Sequence, residues 1–339
     1  MIEAILYDKL ENKWVRCRLC RHRCFIDDGK RGICGCRINQ KGKLFTTNYG
    51  RVIAAHIDPI EKKPLYHFLP GTKIYSFAAP GCNFRCSFCQ NSEISQIAQN
   101  INVDHLDRVT VDLPPSAIVR AALKEGCPAI AYTYTEPTVF FEFALATAKM
   151  AKEAGLKNVF VTNGYLTEEA ITKMVGLIDA VNVDLKSFSE DFYRRICGAK
   201  LKPILDNIKL FQEKGIHVEV TTLIIPENND SEAELKKMAH FLVNISPDLP
   251  WHLSRFHGDY KMVNQKETPL DTLEMAYRIG RAAGLNYVYI GNIPDSKYQD
   301  TNCPKCESTV IKRIFYDVEI RLKGNRCPGC SIELPIIVG

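Results

Sequence analysis

From about residue 72 to residue 292 the sequence alternates short β-branched or aromatic runs with longer helical periods, a rhythm that few folds accommodate. The candidate strands are KIYSFAA (73–79), AIAYTYT (129–135), NVFVTN (158–163), AVNVDL (180–185), HVEVTTLII (217–225), WHLSRF (251–256) and YVYIGN (287–292). Between them lie helical segments such as PSAIVRAALKEG, TVFFEFALATAKMAKEAG, EAELKKMAHFLVNI and DTLEMAYRIGRAAG, several ending in the Gly that often closes a helix. Connections of this length suit parallel strands, so the pattern predicts βαβ units and a complete or partial (β/α) barrel. A doubly wound open sheet is the competing fold. Polar residues follow the strands again and again: GCNFRCSFCQN after the first, Glu136 after the second, Asn163 after the third. Asp184 and Lys186 follow the fourth, and Arg255 and His257 the sixth. Parallel α/β barrels place their active sites at the C-terminal ends of the strands, so one rim carries the chemistry.

Hydrophobic residues make up 46% of the 339 and charged residues 24%, which gives a core and excludes disorder, collagen and coiled coil as the main architecture. The 44 basic and 39 acidic residues leave +5, too small and dispersed an excess to argue for nucleic acid. No apolar run approaches the roughly 18–20 residues that span a bilayer. The N-terminus lacks the cationic start and apolar stretch of a signal peptide, so a cytoplasmic chain is expected, with no membrane partner. In a reducing compartment, 14 cysteines point to metal or redox chemistry rather than disulfides. Twelve fall in three groups: Cys17, Cys20, Cys24, Cys34 and Cys36; Cys82, Cys86 and Cys89; and Cys303, Cys306, Cys327 and Cys330. Only Cys127 and Cys197 stand alone.

Cys82, Cys86 and Cys89 offer three thiolates within eight residues on a loop leaving a buried strand. A closed zinc site or a fully protein-bound cluster wants four ligands; three suit a cubane with one iron open to substrate or cofactor. A zinc site borrowing a distant fourth ligand, and plain core packing, are the alternatives. Three in eight, with Asn83, Arg85 and Ser87 between them, does not read as core.

This CxxxCxxC motif, with Phe88 before its last cysteine, resembles the signature of radical S-adenosylmethionine (SAM) enzymes. The likeness covers nearly the whole chain: PLYHFLPGTKIYSFAAPGCNFRCSFCQN, YTYTEP, TNG, NVDLK and WHLSRFH, in this order, resemble the radical SAM protein of the AmmeMemoRadiSam system, a relative of pyruvate formate-lyase activating enzymes. The resemblance implies a partial (β/α)6-type radical SAM barrel. It also implies a 4Fe-4S cluster on Cys82, Cys86 and Cys89 whose open iron is chelated by SAM, with reductive cleavage to a 5′-deoxyadenosyl radical that abstracts hydrogen from an unidentified substrate. By similarity Tyr134, Thr135 and Glu136 form the segment that engages the methionyl amino group, Asp184 serves that amino group, Lys186 the carboxylate, and His257 the ribose. Asn163 lies on the same rim. The implied partners are an electron donor of the flavodoxin or ferredoxin type, and Memo-like and AMMECR-like proteins of the same system. A glycyl-radical-enzyme activase and a non-catalytic zinc-binding scaffold are the rival functions.

The charge pattern agrees independently, since SAM carries an ammonium, a sulfonium and a carboxylate. Glu136 has a structural reading as the carboxylate of a helix N-terminus, with Pro137 in the first turn. Asp184 and Lys186 have one as a rim salt bridge, His257 as a packing residue, and Asn163-Gly164 as a turn.

The chain divides into a Cys-rich module (1–56), the barrel (57–299) and a Cys-rich, zinc-ribbon-like module (300–339). Cys303-Pro-Lys-Cys306 and Cys327-Pro-Gly-Cys330 read as one four-thiolate site for zinc, with iron or a second cluster as alternatives, stapling a segment that has little core. The N-terminal CxLCxHxCxIxxGxxGxC run gives Cys17, Cys20, Cys24 and Cys34, with His22 nearby, as ligands for zinc or an auxiliary 4Fe-4S cluster. Cys36 stands where the family pattern does not usually carry cysteine, so it is a substitute ligand and the set stays open. Arg16, Arg18, Arg21 and Arg23 interleave with these thiols and offset their charge, and nucleic acid is not expected there.

Overall fold

The computed structural model describes residues 1–100, 106–294, 297–314 and 316–339. At its centre lies one sheet of β1 (Ala54–Pro59), β2 (Lys73–Ala78), β3 (Ala129–Tyr132), β4 (Lys157–Thr162), β5 (Ala180–Asp184), β6 (His217–Ile224), β7 (Trp251–Arg255) and β8 (Val288–Gly291). Spatial order follows chain order, and every pairing from β2 to β8 is parallel. A doubly wound sheet would reverse direction at a switch point, so the sequential order decides for the barrel. β1 joins β2 antiparallel and β8 ends the other side, which leaves the barrel partial. The expected module boundary at residue 56 falls inside β1.

Six helices fill the crossovers: α1 (Pro115–Lys124), α2 (Phe141–Glu153), α3 (Glu168–Met174), α4 (Lys202–Glu213), α5 (Glu232–Val243) and α6 (Leu270–Ala282). Side-chain caps start two of them, Thr167 accepting from Ala170 N and Ser231 from Glu234 N. Helices outside and side chains inside bury both faces of the strands, so β3 and most of β5 are buried at consecutive positions rather than alternately. None of the described helices is long and apolar enough to cross a membrane.

The two ends of the barrel differ. The segment after β1 fills the N-terminal mouth: Ile60, Leu65, Phe68 and Leu69 pack against Ile74, Ala129, Val159 and Ala180 near the strand starts. Buried Glu219 of β6 accepts from Tyr66 N at 3.0 Å and His67 N at 2.8 Å, which anchors this plug. The C-terminal module docks beneath it. Arg313 lies 4.1 Å over the Tyr66 ring, and Ile337 exchanges backbone hydrogen bonds with His67 and Leu69 at 2.8 and 2.7 Å.

The N-terminal module sits at the opposite end, on the rim formed by the C-terminal ends of the strands. Arg21 N donates to Tyr165 O at 2.9 Å and Thr167 N to Leu19 O at 3.1 Å, both partners lying just past β4. Buried Arg37 makes a two-pronged pair with Glu142 of α2 at 2.7 and 2.6 Å. Three of the four interleaved arginines serve this docking: Arg18 and Arg23 pair with Glu169, and Arg21 bonds Leu166 O and Asn207, while Arg16 lies over Phe25 within the module.

Candidate active site

After β2 the chain turns through Ala79-Pro80-Gly81 into Cys82. Gly81 has φ +111°, and a Cβ there would lie 2.2 Å from Cys36 Sγ, so no other residue fits this turn. The loop beyond brings Cys82, Cys86 and Cys89 to a rim cleft of about 480 Å³, lined also by Tyr134, Thr135, Glu136, Asn163, Asp184 and Lys186. His257 is exposed beside it, and Gln90, which does line the cleft, donates to its Nε2 at 2.9 Å. Arg255 turns to Thr268 O at 2.9 Å and Glu267 at 3.0 Å instead.

Three contacts hold the cysteine loop: Arg85 N to Cys197 O at 2.9 Å, Ser87 N to Ile196 O at 3.1 Å, and Lys261 N to Ser87 O at 3.0 Å. Cys197 and Ile196 belong to a π-helical turn, Tyr193–Cys197, of the kind that recurs at functional sites. Cys197 neighbours Cys86, and the interaction of the two thiols outweighs burial in pulling the Cys86 thiol below its ordinary range while the Cys197 thiol is pushed up. No spacing signal in the sequence connects the two.

Glu136 is buried and fully engaged. Its Oε1 accepts from Thr138 N (3.0 Å), Thr138 Oγ1 (2.5 Å) and Thr162 Oγ1 (2.7 Å), and its Oε2 accepts from Asn163 N (2.8 Å). It is thus both the cap of the short 3-10 turn Pro137–Phe140 and part of the cleft wall. Burial pushes its carboxyl upward against those donors. Asn163 Nδ2 donates to Asn83 Oδ1 at 2.8 Å, which fixes its amide beside Cys82. Thr135 donates to Ala79 O at 2.7 Å. The Tyr134 hydroxyl donates to Asp58, and Lys63 Nζ sits 4.2 Å over its ring while pairing with Asp58 at 2.6 Å. Burial pushes the Lys63 ammonium down to about 8 despite Asp58.

Lys186 Nζ pairs with Asp184 Oδ2 at 2.9 Å. Burial disfavours its charge, but Asp184 and the nearby thiols of Cys86 and Cys197 prevail and hold it well above its usual range. The sequence reading missed Lys62 and Lys63, which line the cleft from the plug segment. They precede the first parallel strand, and periodicity does not reveal that their segment folds back into the barrel.

The flanking thiols behave differently from each other. Cys303 and Cys330, and Cys306 and Cys327, have sulfurs 3.6 Å apart. Among the described residues, this quartet is the only set of three or more His, Cys, Asp or Glu whose ligand atoms all fall within 4.8 Å of one another. Cys17, Cys20, Cys24 and Cys34 line one cavity together with His22, and Cys36 does not line it. The Cys36 thiol donates instead to Pro80 O at 3.2 Å and Cys34 O at 3.4 Å.

The family model described as the radical SAM superfamily matches residues 77–242, from the end of β2 into α5. An uncharacterised protein of Methanocaldococcus jannaschii is 42% identical over 343 residues, covering 100% of both chains. The pyruvate formate-lyase-activating enzyme of Clostridium pasteurianum is 26% identical over 57% of this chain and 83% of its own. The crystal structure of a radical SAM methyltransferase from Sphaerobacter thermophilus matches with a TM-score of 0.51 at 17% identity, covering 66% of this chain and 67% of that one, a likeness of fold alone. With an ordered parallel barrel, a CxxxCxxC loop on its C-terminal rim and these relatives, the chain belongs to the radical SAM superfamily and is homologous to the pyruvate formate-lyase activating enzymes.

Proposed function

We propose that Cys82, Cys86 and Cys89 ligate a 4Fe-4S cluster, that Asp184, Lys186 and Glu136 complement SAM bound beside it, and that the enzyme acts on the unidentified substrate of an AmmeMemoRadiSam-type system. Membership of the superfamily implies the cluster and SAM, and such enzymes need a reductant such as flavodoxin or ferredoxin. The observation that carries the reading is the single cleft that gathers three thiols, two carboxylates and the ammonium groups of Lys62, Lys63 and Lys186. The donor set fits. The three thiols are not drawn within 4.8 Å of one another, as a lone ion would want them, and no fourth thiol lines the cleft among the described residues.

When bound, the cluster and SAM supply a 5′-deoxyadenosyl radical that abstracts hydrogen from substrate. The chain's own contribution is charge and enclosure. Lys186 offers an ammonium to the SAM carboxylate, Asp184 accepts from the amino group, and His257 stands on the side assigned to the ribose. The plug closes the far mouth, which keeps water from a reactive radical. The cysteine modules at both ends support the AmmeMemoRadiSam reading, with Memo-like and AMMECR-like proteins as partners. The homology to activating enzymes supports a second reading, hydrogen abstraction from the backbone of a glycyl-radical enzyme. The test is anaerobic protein with dithionite and SAM. Release of 5′-deoxyadenosine is expected, and its absence would favour a zinc-binding scaffold. A glycyl-radical signal upon adding such an enzyme would select the activase.

Charge-assisted hydrogen bonds in a partly dry site contribute about 1.5–3 kcal/mol each, so Lys186→Met should weaken SAM binding by about ten- to a hundred-fold with iron content unchanged. Glu136→Gln should act differently. All four of its hydrogen bonds come from the protein, so the main loss should be thermal stability, on the order of 1–3 kcal/mol, with less effect on SAM affinity. Calorimetric SAM titration beside a melting curve separates the two, and a Lys186→Met protein that melts early yet binds SAM normally removes Lys186 from the site.

A further inference from the structure

We infer that Cys17, Cys20, Cys24 and Cys34 hold a second 4Fe-4S cluster, hydrogen-bonded by Arg37 and Asn83 and set directly against the catalytic loop. The four thiols line one cavity whose other walls include apolar Leu19, Ile26, Ile33 and Val139. Arg37 and Asn83 line it too, and each is only 1% exposed. Arg37 Nε and Asn83 Nδ2 are both buried without a hydrogen-bond partner. Native interiors seldom leave such donors unmet, and two of them on residues that line one thiol-rich cavity point to an acceptor there. The sulfurs of an iron–sulfur cluster accept N–H groups in this way.

The spacing separates a cluster from a single ion. Tetrahedral zinc, with Zn–S bonds of about 2.3 Å, brings its sulfurs to about 3.8 Å from one another. The C-terminal quartet meets that with 3.6 Å separations. The N-terminal four are not drawn within 4.8 Å of one another, and a cubane, with one thiolate on each corner iron, needs the wider set. Cys36 is outside this set, since its thiol is directed to Pro80 O.

The remaining charge is arranged for the same occupant. Each terminal nitrogen of Arg37 donates to Glu142, and Nε is its one nitrogen with no hydrogen-bond partner. Asn83 follows Cys82 in the chain. Its carbonyl accepts from His22 Nε2 at 2.8 Å and its Oδ1 from Asn163 at 2.8 Å, which leaves its Nδ2 for the second site. One residue thus borders both ligand sets.

The test uses the full chain carrying Cys82→Ala, Cys86→Ala and Cys89→Ala, reconstituted anaerobically with iron and sulfide. It should retain about four irons and four sulfides per chain and, once reduced, give the electron paramagnetic signal of a cubane. Adding Cys20→Ala and Cys24→Ala should abolish both. Zinc in place of iron, or no iron at all in the triple variant, overturns the proposal. Asn83→Leu in the triple background keeps every ligand. Loss of an N–H donor destabilises the more negative reduced state, so the midpoint potential should fall while iron is retained. An unchanged potential overturns the assignment of Asn83.

Discussion

Replacing Cys82, Cys86 and Cys89 together by Ala should remove about four irons from the reconstituted protein and abolish release of 5′-deoxyadenosine. The barrel should survive the change. The cysteine loop is tied by backbone bonds to Cys197, Ile196 and Lys261 that do not involve the thiols. Only Cys86 of the three is buried, and Ala there leaves a small void. Single variants are a weaker test. Cys197 is held beside the cysteine loop by the Arg85 N to Cys197 O bond, so in Cys86→Ala its thiol can take the ligand position that the variant gives up. Cys86→Ala should therefore keep more iron than Cys82→Ala, and adding Cys197→Ala should remove that excess. Triple variant that still releases 5′-deoxyadenosine would sink the ligand assignment, whatever its iron content.

Much of this site was legible because a parallel α/β barrel sends every strand's C-terminal end to one rim. Residues at or just past the strand ends at 136, 163, 184 and 186 therefore converge from three separate crossovers. Strand positions were legible to within a residue at most ends. The exception is β3, expected to reach residue 135, which stops at Tyr132. Tyr134 adopts a left-handed φ of +63°, incompatible with an extended strand, and so turns its ring toward Lys63 and Asp58.

What sequence could not disclose were contacts between segments with no shared period. Cys197 looked isolated, yet it meets Cys86 because a π turn delivers it there. Arg255 looked like a rim residue, yet Glu267 and Thr268 claim it. The Arg37–Glu142 pair joins residues 105 positions apart and fixes the N-terminal module to the rim. Which module sat at which end was equally hidden, and that placement separates their roles. Chemistry in such barrels belongs to the C-terminal rim and stability to the opposite face.

The module on the stability face yields the second large effect. Stripping its metal with a chelator, or Cys303→Ser, should unfold residues from about 300 onward while the rim cluster's absorption spectrum stays largely intact. The module's own buried hydrophobic cluster is Cys303, Val310, Ile311, Cys327, Leu334 and Ile336, so two of its six members are thiols of the quartet itself. A core of that size does not hold 40 residues, and structural zinc contributes about 10–16 kcal/mol of apparent binding energy in small metal-folded peptides. Undocking should reach the barrel floor. Arg313, buried near Glu61 and stacked on Tyr66, would leave, and the Ile337 backbone bonds to His67 and Leu69 would go with it. Tyr66, Tyr287 and Tyr289, now one buried cluster, would then face water and bind a hydrophobic dye. Limited proteolysis should cut the tail first and leave a barrel that retains the iron proposed for its rim. Metal analysis finding neither zinc nor iron at the quartet, with the tail still protected from protease, would show instead that Arg313 and the Ile337 strand contact suffice to hold the module without a metal.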